Sequence, residues 1–348
     1  HGAAIGVVLD GLPPGHTIDE TALAMFTRRR APGLAPWSTP RQETDQAEIL
    51  SGLHQGRTSG APLCAIIRNA DTRSADYAQL RQKPRPGHAD LTAEYRFRGF
   101  QDPRGSGHFS GRLTAPLTFA GAVCSQIIAA WGVRTAAHIA EIAGIADRPF
   151  DPMATEISQL TELAQKPFPV LDDKAGLKMI EAVLTASEAG DSVGGVVEGL
   201  ISGLPAGLGN PMFAGIESWL ASLLFGIPAV KGVDFGAGFG AARLRGSEHN
   251  DAPCMQNGAV TWQSNHCGGV LGGISNGMPV VFHVAVKPPA SIAKEQQTIN
   301  LATGQNDVLA VRGRHDPCIV PRVTPVVEAA AAVFALDLLL DRGVGGHD

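Results

Sequence analysis

Aromatic residues are scarce in this chain: Trp, Tyr and Phe together make up 5%. Charge is thin too, at 18% of residues, and the balance is only −5 at pH 7. A nucleic-acid or membrane-surface binder carries a surplus of lysine and arginine, which this balance excludes. The five cysteines, Cys64, Cys124, Cys254, Cys267 and Cys318, are odd in number, form no CxxC and fit no zinc spacing. Reduced thiols in a cytoplasmic protein are therefore expected. No signal peptide and no charge-free apolar run of about 18 residues is read, so no membrane span is expected. The chain opens on His1 rather than methionine, and a segment upstream of it is expected.

What is abundant is apolar mass and backbone punctuation. Of 348 residues 44% are hydrophobic, enough for a large buried core, and 42 glycines with 24 prolines predict many tight turns. No linker-like shift in composition occurs, so one domain over 1–348 is expected. Residues 4–11, 62–69, 192–207 and 278–288 read as strands, and 44–53 as a short element closed by Gly52. Helices are predicted from Thr114, where Leu117, Ala120, Cys124, Ile127 and Trp131 recur at three- and four-residue steps, near 152–165 and 174–188, over 210–226, and over 324–340. Residues 80–112 show no clean period and read as a long loop, the kind that usually has a function. GVVLDGLPPG (6–15) and GVVEGLISGLPAG (195–207) both run from a strand into a GLP turn, which suggests an internal duplication or a chance likeness of turns.

Four clusters carry chemistry. His1-Gly2 opens the chain; a solvated terminal histidine or a tag remnant is the plainer reading. KPRPGHAD (83–90) holds His88 between stiffening prolines and a permissive glycine, and a loop histidine with its hydrogen bonds met is the plainer reading. In SGHFSGRLTAP (106–116) small residues and Arg112 precede a helix, which suits an anion, a helix cap at Ser110 or Thr114, or both. The fourth runs through SNHCGGVLGGISNG (264–277), KPPASI (287–292) and the proline-fixed loop RGRHDPCIVPRVTP (312–325). There Lys287, Arg312, Arg314 and Arg322 suit phosphate oxygens, and His315-Asp316 suits proton transfer or a salt-bridged loop stem. A rival lies at Gly236, Gly238 and Ala241, a G-x-G-x-x-A after a strand, which points to an NAD(P)-dependent dehydrogenase; the acidic residue expected about twenty positions on is replaced by Gln256 and Asn257.

Over nearly its whole length the sequence resembles chorismate synthase. HGAAIGVVLDGLPPG, GHFSGRLTAPLTFAGAV and RHDPCIVPRVTPVVEAA resemble the family's three signatures, and RRRAPG, RPGHADLTAEY, GLPAGLGNPMF, FGAGFGAARLRGSEHND and KEQQT read alike. The resemblance implies an α/β (α+β) sandwich, a helical core between antiparallel sheets. It also implies loss of phosphate from 5-enolpyruvylshikimate 3-phosphate by anti-1,4 elimination to give chorismate, with reduced FMN as cofactor. A homotetramer is implied as well. The chain leaves no room for a flavin-reductase domain, so reduced flavin is expected from an external source. A flavin-binding homologue without activity is a further alternative.

Residue by residue, the resemblance implies His1 as the acid near the departing phosphate and His88 as the proton donor near flavin N1. Asp316 would relay a proton at flavin N5, with Arg314 on a flavin or substrate phosphate. His108, Phe109, Ser110, Pro228, Ala229, Gly272 and the run Lys287, Pro288, Pro289, Ala290, Ser291 match flavin contacts, and Arg41 and Arg112 match substrate positions. The chain departs from the family's usual Arg-Ser-Ser at the flavin turn, reading His108-Phe109-Ser110. It also lacks a basic residue in GLAPW.

Overall fold

The computed structural model describes residues 2–33, 35–39, 43–70, 79–154, 156–311, 313 and 315–343. Of the sequence-predicted site residues, His1, Arg41 and Arg314 lie outside the described residues, as does Arg312. The chain runs β1 (Ala4–Leu9), α1 (Glu20–Arg28), β2 (Ala47–Ser51), β3 (Leu53–His54), β4 (Arg57–Thr58), β5 (Leu63–Arg68), α2 (Asp90–Phe97) and α3 (Thr114–Ala130). Then come β6 (Arg134–Ile142), β7 (Ile145–Ala146), α4 (Ile157–Gln165), α5 (Asp173–Glu188), β8 (Gly195–Ser202), α6 (Ile216–Phe225) and β9 (Val230–Phe235). The hairpins β10 (Pro253–Gln256) with β11 (Ala259–Trp262) and β12 (Val270–Leu271) with β13 (Ile274–Ser275) lead to β14 (Val280–Val286), β15 (Gln296–Asn300), β16 (Gln305–Leu309) and α8 (Val320–Asp341), α7 (Gly246–His249) being a single turn before β10.

Two antiparallel sheets enclose a helical pair. The three-stranded sheet β1-β5-β2 lies against α3, and α8 packs on β6 and β8 of the five-stranded sheet β7-β6-β8-β14-β9. Alternation explains the first: along β5 Leu63, Ala65 and Ile67 are buried while Arg68 is exposed. The helical pair is apolar nearly all round, as buried helices are. Its tightest point is Gly121, where a Cβ would sit 2.3 Å from the Cα of Ala329, so α3 and α8 meet backbone to backbone. By length and composition, 111–130 and α8 are both able to cross a bilayer, which was not anticipated because Thr, Ser and Gln interrupt the first and Arg322, Glu328 and Asp337 the second. Here 67% and 83% of those windows are buried inside the fold, and they form its core.

The strands fall close to their predicted places, but two segments differ. The supposed loop 80–112 contains α2 and two 3-10 turns. Only Ala93 of α2 is buried, so no apolar stripe betrays it. The proline-rich stretch before the last helix is partly that helix: α8 starts at Val320. Pro321 falls in its first turn, where an N–H has no partner to lose, and Thr324 Oγ1 donates to the Val320 carbonyl at 2.9 Å. The echoed strands both lead to left-handed glycines, Gly11 and Gly15 after β1, Gly203 and Gly207 after β8. β1 is nevertheless an edge strand and β8 an interior one. The dinucleotide-like motif fails on topology. β9 pairs antiparallel with β14 and runs into a 3-10 turn, Gly238–Arg243, so no parallel βαβ unit surrounds it.

A row of ionisable side chains crosses the larger sheet. His138 on β6 is opposite Glu198 on β8, which is opposite His283 on β14, which is opposite Asp234 on β9. His138 Nε2 lies 2.5 Å and His283 Nε2 3.5 Å from the two Glu198 oxygens, while Asp147 and Asp234 cap the outer nitrogens at 3.0 and 2.7 Å.

Candidate active site

A cleft of about 650 Å³ opens where α3 and α8 begin. Segments distant in sequence form its walls: the turn after α1, 85–89, 105–114, 225–230, 287–291 and 315–326. Its volume lies within the usual range for cofactor and ligand sites.

The floor is a buried ion network. Arg30, two residues beyond α1, donates Nε to Asp45 at 2.8 Å and Nη1 to Thr114 Oγ1 at 3.1 Å. Asp45 takes a second guanidinium from Arg112, which also reaches Glu43 at 3.3 Å. Burial pushes Arg30 down to about 10 although Asp45 opposes the shift. Asp45 itself is fully enclosed and sits in left-handed backbone at φ 50, a conformation that Asp tolerates better than most residues.

One wall is RPGHAD. The Arg85 guanidinium grips Asp90 through Nε and Nη2, both at 2.7 Å, and reaches Ser291 Oγ at 3.0 Å and Ser106 Oγ at 2.9 Å. Asp90 also lies 2.7 Å from His88 Nδ1. Burial alone would raise the Asp90 carboxyl, but bonds from Arg85 and His88 outweigh it and hold the group well below the carboxylate range. Ser106 is kept within reach by left-handed backbone, φ 68, flanked by Gly105 and Gly107.

The opposite wall is the start of α8. Asp316 Oδ1 accepts from the Thr39 amide at 2.9 Å and Ser38 Oγ at 3.4 Å, and Oδ2 accepts from Arg322 at 2.5 Å. Arg322 also donates to the Arg30 carbonyl at 3.0 Å, tying this wall to the floor. Lys287 Nζ donates to the Gly87 carbonyl at 2.9 Å, and burial together with nearby Lys231 lowers its pKa. Between these walls runs the segment 225–230, apolar throughout, with Ala229 at φ 75, and Gly105, Gly111 and Ala290 add little bulk. Small residues on one side and guanidinium groups on the other suit a flat, anionic molecule. The apolar segment beside the arginines would suit a cofactor that is flat and anionic, as flavin mononucleotide is.

Of the sequence-predicted residues, His88, His108, Phe109, Ser110, Arg112, Pro228, Ala229, Lys287, Pro289, Ala290, Ser291 and Asp316 line this cleft. Pro288 is adjacent to the wall and not on it. Gly272 is in the β12–β13 turn, away from the cleft lining. His108 packs edge-on to Phe97 at 5.1 Å between ring centres, so α2 sets its position. Sequence reasoning missed Arg30, Arg85, Asp45, Asp90 and Thr39. The spacing R-x-x-H-x-D in RPGHAD carried the signal for two of them; Asp45 lies in the polar run RQETDQAE (41–48) and Thr39 beside Ser38, where nothing local singles them out.

The profile of the family described as Chorismate synthase matches residues 1–340. Chorismate synthase of Dehalococcoides mccartyi strain BAV1 is 45% identical over 344 residues, covering 99% of this chain and 93% of the relative. That of Aeropyrum pernix is 44% identical over 342 residues, covering 98% and 89%. A crystal structure of chorismate synthase superposes with a TM-score of 0.76 at 27% identity, covering 98% of this chain and 89% of that one. Matches of this extent place the chain, whose segments 106–116 and 315–326 meet in one cleft, in the chorismate synthase family.

Proposed function

We propose that the chain converts 5-enolpyruvylshikimate 3-phosphate to chorismate by anti-1,4 elimination of phosphate, with reduced FMN bound in the cleft. The observation that carries the reading is the meeting of His88, Asp316 and Lys287 on one hollow floored by arginines. The substrate bears a phosphate and two carboxylates, and each charge-assisted hydrogen bond to such groups contributes roughly 1.5–3 kcal/mol. Reduced FMN, when bound, supplies electron density as phosphate departs and takes it back as the ring hydrogen is lost.

The chain's own residues bind, orient and move protons. Arg112, Lys287 and Arg322 hold anionic groups, with Arg41 and Arg314 assigned to substrate and phosphate oxygens by their place in the motifs. His88 holds a proton for flavin N1, and Asp316, kept in place by Arg322 and the Thr39 amide, exchanges one at flavin N5. His1 is assigned to the departing phosphate as acid. Histidines in such roles contribute about 10²–10⁴-fold. Pro228, Ala229, Lys287, Pro289, Ala290 and Ser291 supply the flavin wall.

Exposed Met212, Phe213, Phe239 and Met255 support self-association, and we assign a homotetramer in the cytoplasm fed by an external flavin reductase. The deciding assay is anaerobic phosphate release. Release with reduced FMN and none with oxidised FMN is expected; no release with either refutes the proposal and leaves a flavin-binding homologue without activity.

A further inference from the structure

We infer that Ser192 is a positioning residue for the cofactor: it pins the flavin wall at Pro289 to the short turn 190–194, which also holds the loop carrying Asp316. The inference rests on the proposed binding of FMN in the cleft and names what keeps the wall in place for it.

The device is written in GDSVGG (190–195), the turn from α5 into β8. Gly190, at φ 67, ends the helix: its amide donates to the Ser187 carbonyl at 3.0 Å and the Asp191 amide to the Ala186 carbonyl at 2.9 Å, which closes the last turn. Asp191 then braces the turn, Oδ1 accepting from the Ser192 amide at 2.9 Å and Oδ2 from Lys294 Nζ at 2.8 Å. From this base the next two residues bond to two parts of the cleft. Ser192 Oγ donates to the Pro289 carbonyl at 2.8 Å, in the middle of the flavin wall. The Val193 amide donates to the Pro317 carbonyl at 2.9 Å, one residue beyond Asp316. Gly194 lies close on the root of the wall, where a Cβ would meet the Val286 carbonyl oxygen at 2.4 Å and Pro288 Cδ at 3.0 Å. The wall needs such support, because Pro288 and Pro289 have no N–H to tether it. Its ends are tied by the Lys287 amide to the Ala229 carbonyl at 3.0 Å and by the Ala293 amide to the Gly190 carbonyl at 2.9 Å. Between those ends, Ser192 holds Pro289, and Arg85 holds Ser291 Oγ at 3.0 Å. Ser192 itself lines a separate groove beside α5 and not the cleft, so its effect on the cofactor passes through Pro289. A wall fixed before its ligand arrives binds without first losing freedom.

Ser192→Ala removes the hydroxyl and leaves the backbone of the turn as it is. Oxidised FMN, titrated while its fluorescence is followed, should bind the variant about 3–10-fold more weakly than the wild-type chain, the range for one lost hydrogen bond. The melting temperature of the FMN-free variant should fall by less than about 3 °C. Amide exchange in the FMN-free variant should speed up at Ala290, Ser291 and Ile292 and stay unchanged in α5. At saturating reduced FMN, phosphate release should stay within about twofold of wild type, since the loss lies in how often the free wall is ready to bind. Ser192→Thr, which keeps the hydroxyl, should restore both affinity and slow exchange. Unchanged FMN affinity in Ser192→Ala overturns the inference, as does a failure of Ser192→Thr to restore it. Weaker binding with a larger loss of melting temperature and faster exchange throughout the core also overturns it, because that is the mark of a purely structural residue. A wild-type chain that binds no FMN refutes the proposed function; exchange at 290–292 then decides the role of Ser192 by itself, faster in Ser192→Ala if it holds the wall and unchanged if it does not.

Discussion

At the scale of single residues, the cleft is held by acids set behind its cations. Asp45 shows the logic most plainly: one enclosed carboxylate between two guanidinium groups, Arg30 and Arg112. Removing one partner of a buried ion pair strands the other, which costs about 3–5 kcal/mol. Asp45→Ala should therefore lower the unfolding free energy by that much, seen as a lower urea midpoint at unchanged slope, and should weaken substrate binding through Arg112. Asp316→Asn tests a different role. Of its partners, Thr39 is buried, but Ser38 and Arg322 are partly exposed, so turnover should fall by at least about 10²-fold with a smaller loss of melting temperature than Asp45→Ala shows. Equal losses of stability in the two variants would make Asp316 a structural residue. His88 and Asp316 were legible because glycines and prolines around them mark unusual backbone. Asp45 and Thr39 were not, because what makes them matter is a partner 67 or 277 residues away.

At the scale of elements, the ionisable row across the larger sheet sets a pH window. Burial alone would lower His283, but Asp234 and Glu198 outweigh it and raise the group to about 9. Burial would raise Glu198, but His138 and His283 bring it down to about 2. The histidine's contribution is full below its ordinary value of 6.5 and is lost as pH rises through about 9. The glutamate's is full above 4.5 and is lost as pH falls through about 2. The row therefore stabilises most between those inner limits. Melting temperature should be higher at pH 6 than at pH 9.5, and His283→Gln should flatten that slope; a parallel slope in the variant would assign the dependence elsewhere. A second prediction concerns the crossing of α3 and α8. Gly121→Val inserts side chain where backbone already touches, and overpacking of this kind costs about 1–3 kcal/mol or more. Since both helices start at the cleft, FMN affinity should fall with stability, measured by titration beside thermal melting. Strong periodicity made α3 and most of α8 legible in the sequence. α2 was missed because it buries one residue, and the first turn of α8 because proline there reads as a breaker.

At the scale of the whole molecule, the main hydrophobic core draws on elements from α1 to α8, between Leu12 and Leu339. Ligand that binds only the folded state should stabilise all of it together: reduced FMN at about 100 times its Kd adds about 2.7 kcal/mol. A single melting transition that moves upward as a whole is expected. A split transition would mean that the cleft opens independently of the core. The layered plan, helices between antiparallel sheets, followed from the resemblance to the family; propensity alone supplied the strands but not their partners, since pairing such as β1 with β5 spans more than fifty residues of intervening chain.

The tie between Arg29 and Glu328, 299 residues apart, and that between Thr39 and Asp316 have a consequence for biosynthesis. A nascent chain emerging from the ribosome holds Arg30, Asp45, Arg85 and His88 long before α8 exists to face them. Until the last helix is released, the guanidinium-rich half of the cleft is open to solvent and to any polyanion nearby. Stalled chains ending before residue 316 should therefore bind no FMN, measured by titration of ribosome-bound chains beside the full chain.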